Sequence, residues 1–231
     1  MTFSNKILRL TYTQYRHFAE LTKHFGMVLS VSTYKELKCW GRYSPMCTPV
    51  CKDVTQFPSG WEERSPVEIV NAVNTAKFRD TGRPEMDWHA LADEEIYPFI
   101  VWHEIGHRMD NFSIFDLITL KDVDQSVIDE CHKYIGGINE ILADRFAWKH
   151  LRGDEELPLS ELGKRRQELI AEKIKYLEKY LLNKSRFKIR ELRQGQYFDV
   201  NYNMLKTEKL AAFIGPKVSK ALLKDRMSRS Y

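Results

Sequence analysis

The sequence predicts an α+β fold, with a small N-terminal sheet, a helix across His103 and His107, and a mostly helical C-terminal part. Three observations carry that expectation. β-branched alternation is confined to the chain before residue 90, most clearly from Val28 to Tyr34. From residue 90 onward, apolar residues recur at helical spacing instead. Charge is divided between the two parts: residues 161–231 carry 18 Lys+Arg and 8 Asp+Glu, a net +10 within a total of +4, which leaves −6 for residues 1–160. The predicted organisation is a core over residues 1–152 and a basic helical extension over 153–231. The boundary falls at Arg152–Ser160, where Gly153, Asp154, Glu155, Glu156 and Pro158 interrupt the apolar periodicity.

Taken in order, the first 90 residues mix short pieces. Val28–Tyr34 reads as a strand, and Val67–Phe78 fits either a strand or a helix. Gly41, Pro45, Pro49, Pro58, Gly60 and Pro66 mark an irregular region between them, and Gly82 with Pro84 marks a turn. Asp93–Asp110 reads as a helix provided that Pro98 lies in its first turn, because an interior proline removes a backbone hydrogen bond. Ile128–Leu151 is a second helix, with Gly136 and Gly137 either weakening its middle or dividing it. Leu169–Leu182 is a third, since Ile170, Ile174, Leu177 and Leu181 share a face. Pro216 opens a fourth.

With 231 residues, 43% of them hydrophobic and 29% charged, the composition is that of a globular chain and excludes collagen-like or disordered classes. No uncharged stretch approaches the length of a spanning helix, and Met1–Leu10 lacks the apolar run of a secretion signal; the expected setting is the cytoplasm, away from membranes. Cys39, Cys47, Cys51 and Cys131 read as free thiols. The first three cluster, but without the CxxC pair that a structural zinc site favours.

The informative segment is His103-Glu104-Ile105-Gly106-His107, an H-E-x-x-H pentad inside an uncharged stretch. Four residues apart on an α-helix, two side chains differ by about 40° in direction and about 6 Å along the axis, so both imidazoles can meet one ion. Neutral imidazole nitrogens suit zinc. Glu104 projects about 100° from His103, an offset that lets a carboxylate reach water beside the ion without itself being a ligand. The composition makes such a pentad a chance event only about 0.02 times per chain.

A catalytic zinc takes three protein ligands, so a third donor is required. Glu140 is the expected one, in Asn139-Glu140-Ile141-Leu142-Ala143-Asp144, where Glu140 and Asp144 share a helical face one turn apart. Metal-binding histidines usually donate their other ring N–H to a carboxylate, and Asp144 is expected to play that part for His103.

H-E-x-x-H followed on a later helix by E-x-x-x-D resembles the gluzincin branch of the zincin metallopeptidases. Within it, HEIGHRMD and NEILADRFA resemble the lethal-factor-like and Mlc-titration-factor-like peptidases, and EILADRFAWKHL equally resembles the repressor-cleaving ImmA/IrrE group. The resemblance covers about 50 residues and implies a zincin-like fold. It also implies zinc on His103, His107 and Glu140, with Glu104 as general base toward a zinc-activated water in peptide-bond hydrolysis. Arg108 after the second histidine and the acidic insert before Glu140 depart from those patterns.

Such peptidases also need a donor to the developing oxyanion. Tyr134 is the expected residue, with His132 as the other candidate. Trp88, Tyr97, Phe99 and Trp102 read as core packing around the active helix. The substrate implied is a protein or peptide. The basic C-terminal third suits either a solvated helical face or contact with nucleic acid or an acidic partner. Two other function classes fit: a regulatory or DNA-associated zincin-like protein, and an inactive zincin-like interaction module.

Overall fold

The computed structural model describes residues 5–45, 48–51, 61–118, 120 and 122–181. Cys47, the helix expected from Pro216 and the basic residues from Lys184 onward lie outside the described residues. The described residues form two compact units, one holding those up to Phe78 with Asp93–Val101, the other holding Arg79–Ala92 with those from Trp102 to Leu181. The fold is α+β. Neither unit has a boundary at residue 152, and the helices on either side of Arg152–Ser160 belong to the same unit.

In the first unit the sheet is organised by one long strand. β1 (Ile7–Arg9), α1 (Tyr12–His24), β2 (Met27–Ser32), α2 (Tyr34–Leu37), β3 (Gly41–Tyr43), β4 (Thr48–Cys51), β5 (Trp61–Val70) and β6 (Ala72–Asn74) follow in order. β5 pairs parallel with β2, Met27 opposite Ser65 and Ser32 opposite Val70, and antiparallel with both β3 and β4. β1 and β6 form a separate antiparallel pair. Met27, Leu29 and Val31 are buried while Val28 and Ser30 are not fully covered, the period of two of a strand with one inward face. Val67, Ile69 and Val70 of β5 are fully buried. α1 opens with a capping box in which Thr11 accepts from the Gln14 N–H and the Gln14 side chain accepts from Thr11 N–H.

α3 (Thr75–Arg79) and two 3₁₀ turns, Trp88–Ala90 and Asp93–Glu95, lead into α4 (Ile96–Met109). Pro98 is the third residue of α4, where its missing N–H has no intrahelical acceptor to lose. α5 (Ile114–Ile118), α6 (Gln125–Arg152) and α7 (Glu161–Tyr180) complete the second unit. Phe112, Leu117, Cys131, Ile135, Ile138, Leu142, Ile170, Leu177 and Leu181 form its apolar core. Among the described residues no helix is long and apolar enough to cross a membrane.

Several local expectations change on contact with the fold. The stretch from Gly41 to Pro66 holds β3, β4 and the start of β5, because pairing to a long partner strand overrides scattered Gly and Pro. Val67–Phe78 is both alternatives in turn, strand and then helix. α6 runs unbroken through Gly136 and Gly137, which are exposed, since its apolar face elsewhere supplies the stability that the glycines do not. α7 starts eight residues before Leu169, capped by the Ser160 hydroxyl accepting from Gly163 N–H at 2.9 Å.

Candidate metal centre

α4 supplies two of the clustered residues from an almost wholly buried helix. Ile100, Val101, Trp102 and Ile105 are all at most 2% exposed, so the helix is apolar on nearly every side and its rotation is fixed by packing. Of its His, Glu and Arg side chains, His103 and Glu104 are buried and His107 and Arg108, in the last turn, are half-buried. The two imidazole rings of His103 and His107 lie 4.6 Å apart, nearly perpendicular.

α6 reaches these histidines because Gly106 lies between them. A Cβ at Gly106 would stand 3.0 Å from Ala143 Cα and 3.1 Å from Phe146 Cβ, so the missing side chain is what allows α6 to pack this close. Asn139 fixes the neighbouring register, donating to Phe112 C=O and accepting from Phe112 N–H, both at 2.9 Å.

The consequence is a convergent cluster. One ligand-type atom each from His103, His107 and Glu140 lies within 4.8 Å of the others. His103 Nε2 is 3.5 Å from Glu140 Oε2, and His107 Nε2 is 3.4 Å from Glu140 Oε1. Behind them His103 Nδ1 meets Asp144 Oδ1 at 2.9 Å, with the Asp144 side chain fully buried. The Glu140 side chain is 40% exposed, so the cluster reaches solvent on that side.

Arg83 enters from the turn between α3 and the first 3₁₀ helix. It makes a forked pair with Asp144, Nε to Oδ2 and Nη2 to Oδ1, both 2.9 Å, and its Nη1 is 2.8 Å from Glu140 Oε2. The Trp88 ring lies 4.4 Å from its guanidinium and also meets the His103 ring edge-on.

The electrostatics are those of a site with surplus negative charge. Glu140 and Asp144 share the Arg83 guanidinium and Glu104 lies near His103, so with both imidazoles neutral, as metal ligands are, these four groups carry two net negative charges. Burial alone would depress the His103 pKa, yet hydrogen bonding to Asp144 and Glu140, with Glu104 nearby, carries it up to about 9. Burial would raise Glu140, but the two imidazoles hold its carboxyl well below the ordinary range. For Arg83 the same contest between burial and its two carboxylates ends with the pKa raised.

Zinc–nitrogen and zinc–oxygen bonds of about 2.0–2.2 Å at a tetrahedral angle require donor atoms about 3.3 Å apart. The 3.4 Å between His107 Nε2 and Glu140 Oε1 meets that requirement, and one donor atom from each imidazole and from the carboxylate lies within 4.8 Å of the others. The donor set therefore fits a zinc ion, whose double positive charge balances the surplus.

No protein-family model, curated protein or solved structure matches the chain.

Among the described residues, His103, His107 and Glu140 are the only group of three such donors with this convergence. Glu104 is buried one position after His103 on α4. Tyr134 is not brought to the cluster. It precedes Glu140 by six residues on α6, which turns it about 120° away and moves it about 9 Å along the axis. Its ring packs against Tyr176 and beneath Lys173, and its hydroxyl bonds to Glu130. His132, eight residues before Glu140, is exposed. Trp88, Tyr97, Phe99 and Trp102 are buried, as packing residues are.

Arg83 and Gly106 are contributors that sequence reasoning did not single out. Gly106 had a signal in its position, a residue without a side chain between the two histidines of the pentad. Arg83 had none, since an arginine beside a Gly-Pro turn is common and its partners stand 57 and 61 residues away.

Proposed function

We propose that the protein is a zinc-dependent metallopeptidase with a zincin-like core, hydrolysing peptide bonds of a protein or peptide substrate. The observation that carries this reading is the convergence of His103, His107 and Glu140 beside Glu104, all from two helices. Zinc held by those three residues would supply Lewis acidity toward a carbonyl oxygen and a more acidic water.

The remaining chemistry belongs to the chain. Asp144 accepts from His103 Nδ1–H and so directs Nε2 outward as the ligand atom. Glu104, turned about 100° from His103 on the same helix, takes a proton from the attacking water and passes it to the leaving amine. Its burial keeps that carboxylate away from bulk water that would compete for the proton. The partial exposure of Glu140 gives an extended peptide access to the same side.

The test is zinc content of the purified full chain, together with hydrolysis of a mixture of fluorescence-quenched peptides, for wild type and Glu104→Gln. The expected result is about one zinc in both and cleavage only in the wild type. A chain that retains no zinc, or a Glu104→Gln protein that cleaves as well as wild type, overturns the reading.

A further inference from the structure

We propose that Arg83 is a positioning residue that decides how Glu140 meets the metal ion: it retains Oε2 and leaves Oε1 as the donor atom. This rests on the metal-centre reading above and goes beyond it by assigning one oxygen of the carboxylate and the residue that selects it.

The geometry is specific to a guanidinium. Glu140 and Asp144 stand one helical turn apart, and Arg83 spans them, with two nitrogens on Asp144 and a third on Glu140 Oε2 at 2.8 Å. Nη2 also donates to the Glu140 backbone carbonyl at 3.3 Å, so both ends of that residue are held. Arg83 has its side chain only 11% exposed, and its guanidinium keeps its charge in any protein setting. An ion taking both oxygens of Glu140 would have to displace that pair. Oε2 also lies 3.5 Å from His103 Nε2, but there the ion would compete with Arg83 at 2.8 Å, whereas Oε1 faces His107 Nε2 at 3.4 Å.

The turn carrying Arg83 is itself fastened to α6 and α7. Glu85, with its side chain 1% exposed, receives a fork from Arg145 at 2.8 and 2.6 Å and a bond from Gln167 at 2.7 Å. Ser160 N–H donates to Glu85 C=O, and Asp87 N–H to Pro158 C=O. At Gly163 a Cβ would fall 2.1 Å from the Glu85 carbonyl oxygen, so only glycine lets α7 lie against this turn. Arg83 is thus delivered to Glu140 from a turn fastened to both α6 and α7.

Positive charge beside a metal ion opposes its binding. The contribution of Arg83 to the ion is therefore geometric, and Arg83→Lys separates the two effects. Lysine retains the charge but offers one nitrogen, so it cannot fork onto Asp144 with two nitrogens while a third holds Glu140.

The experiment compares the full-length wild type and Arg83→Lys, with folding checked by circular dichroism. Zinc affinity is measured by competition with a chromophoric chelator, and coordination by the visible spectrum after cobalt substitution. The expected outcome is zinc affinity about 10–100-fold weaker in Arg83→Lys, with an altered cobalt spectrum as Glu140 changes its mode of binding. Equal affinity with an unchanged spectrum would overturn the proposal while leaving the metal centre intact. Failure of the wild type to bind zinc would overturn both. If Arg83→Lys does not fold, X-ray absorption of zinc-loaded wild type decides: one carboxylate oxygen in the zinc shell supports the proposal, and two at equal distance overturn it.

Discussion

The two faces of α6 are buried by opposite physics. Cys131, Ile135, Ile138 and Leu142 lie on one side of the helix and pack with α5 and α7 in a cluster of hydrocarbon. Glu140 and Asp144 lie about 120–160° round the axis from Ile138 and Leu142 and meet His103, His107 and Arg83. The apolar face gains from every group removed from water, whatever its partner. The charged face gains only if each carboxylate finds a donor or a cation, and here the carboxylates outnumber the guanidinium. The lesson is that hydrocarbon holds the helix in place on one face, while the other is left with carboxylate charge that the proposed metal ion would balance. Each face should be breakable without the other.

The largest effect is expected on the charged face. His107→Ala removes a ligand and should take the retained zinc from about one equivalent to near none, measured by metal analysis after gel filtration. Glu104→Gln should retain the zinc and lower the peptide cleavage rate by about 10²–10⁴-fold, the usual contribution of a general acid–base group. Neither change touches the hydrocarbon cluster, so the midpoint of metal-free chemical unfolding should move far less than the activity does. A Glu104→Gln protein that lost its zinc would show instead that Glu104 belongs to the ligand set.

This contrast also explains what the sequence revealed. His103 and His107, and likewise Glu140 and Asp144, are pairs at four-residue spacing, and a helix converts that spacing into a shared face without knowledge of the fold. The approach of the two pairs depends on the crossing at Gly106, which spacing cannot show. Arg83 depends wholly on tertiary placement, through a turn fastened by Glu85. In the first unit, Met27–Ser32 was legible because its alternation is local. β3 and β4 were not, since short strands among Gly and Pro exist by pairing with β5. Tyr134 was drawn toward the site by proximity in sequence, and the helical turn carries it to the side with Tyr176.

Next in size is a cut into the apolar face. Leu177 of α7 is fully buried in the hydrocarbon cluster. Leu177→Ala should cost about 2–5 kcal/mol, the range for a buried leucine whose cavity does not collapse. Urea unfolding of the metal-free protein would measure it, and zinc stoichiometry of the folded variant should stay at wild-type level. Loss of zinc without loss of stability would mean that the two faces are not separable.

A smaller effect is expected at the joint between ligand and support. Asp144→Asn retains an oxygen for His103 Nδ1–H but removes the charge that Arg83 grips with two nitrogens. Zinc affinity should fall about 10–100-fold, less than when a ligand is removed, which chelator competition would resolve. Affinity equal to wild type would show that shape alone, without the Asp144 charge, orients the histidine.

The smallest expected effect lies beside the charged face but outside the cluster. His150 stacks on Trp102 and Phe146 at 4.2 Å, and its Nδ1 meets the Phe146 carbonyl at 2.7 Å. Burial lowers its pKa, outweighing the carbonyl that favours the charged form. The folded state therefore binds this proton less readily than the unfolded chain does. His150 thus contributes stability that is present above the ordinary histidine range and is lost as pH falls from that range toward the depressed folded value. His150→Phe removes the proton while preserving a ring between Trp102 and Phe146. Stability of the metal-free variant, measured by urea unfolding across that pH interval, should fall less steeply than that of wild type. An identical slope in the two proteins would mean that the acid sensitivity arises in the charged cluster and not in this aromatic stack.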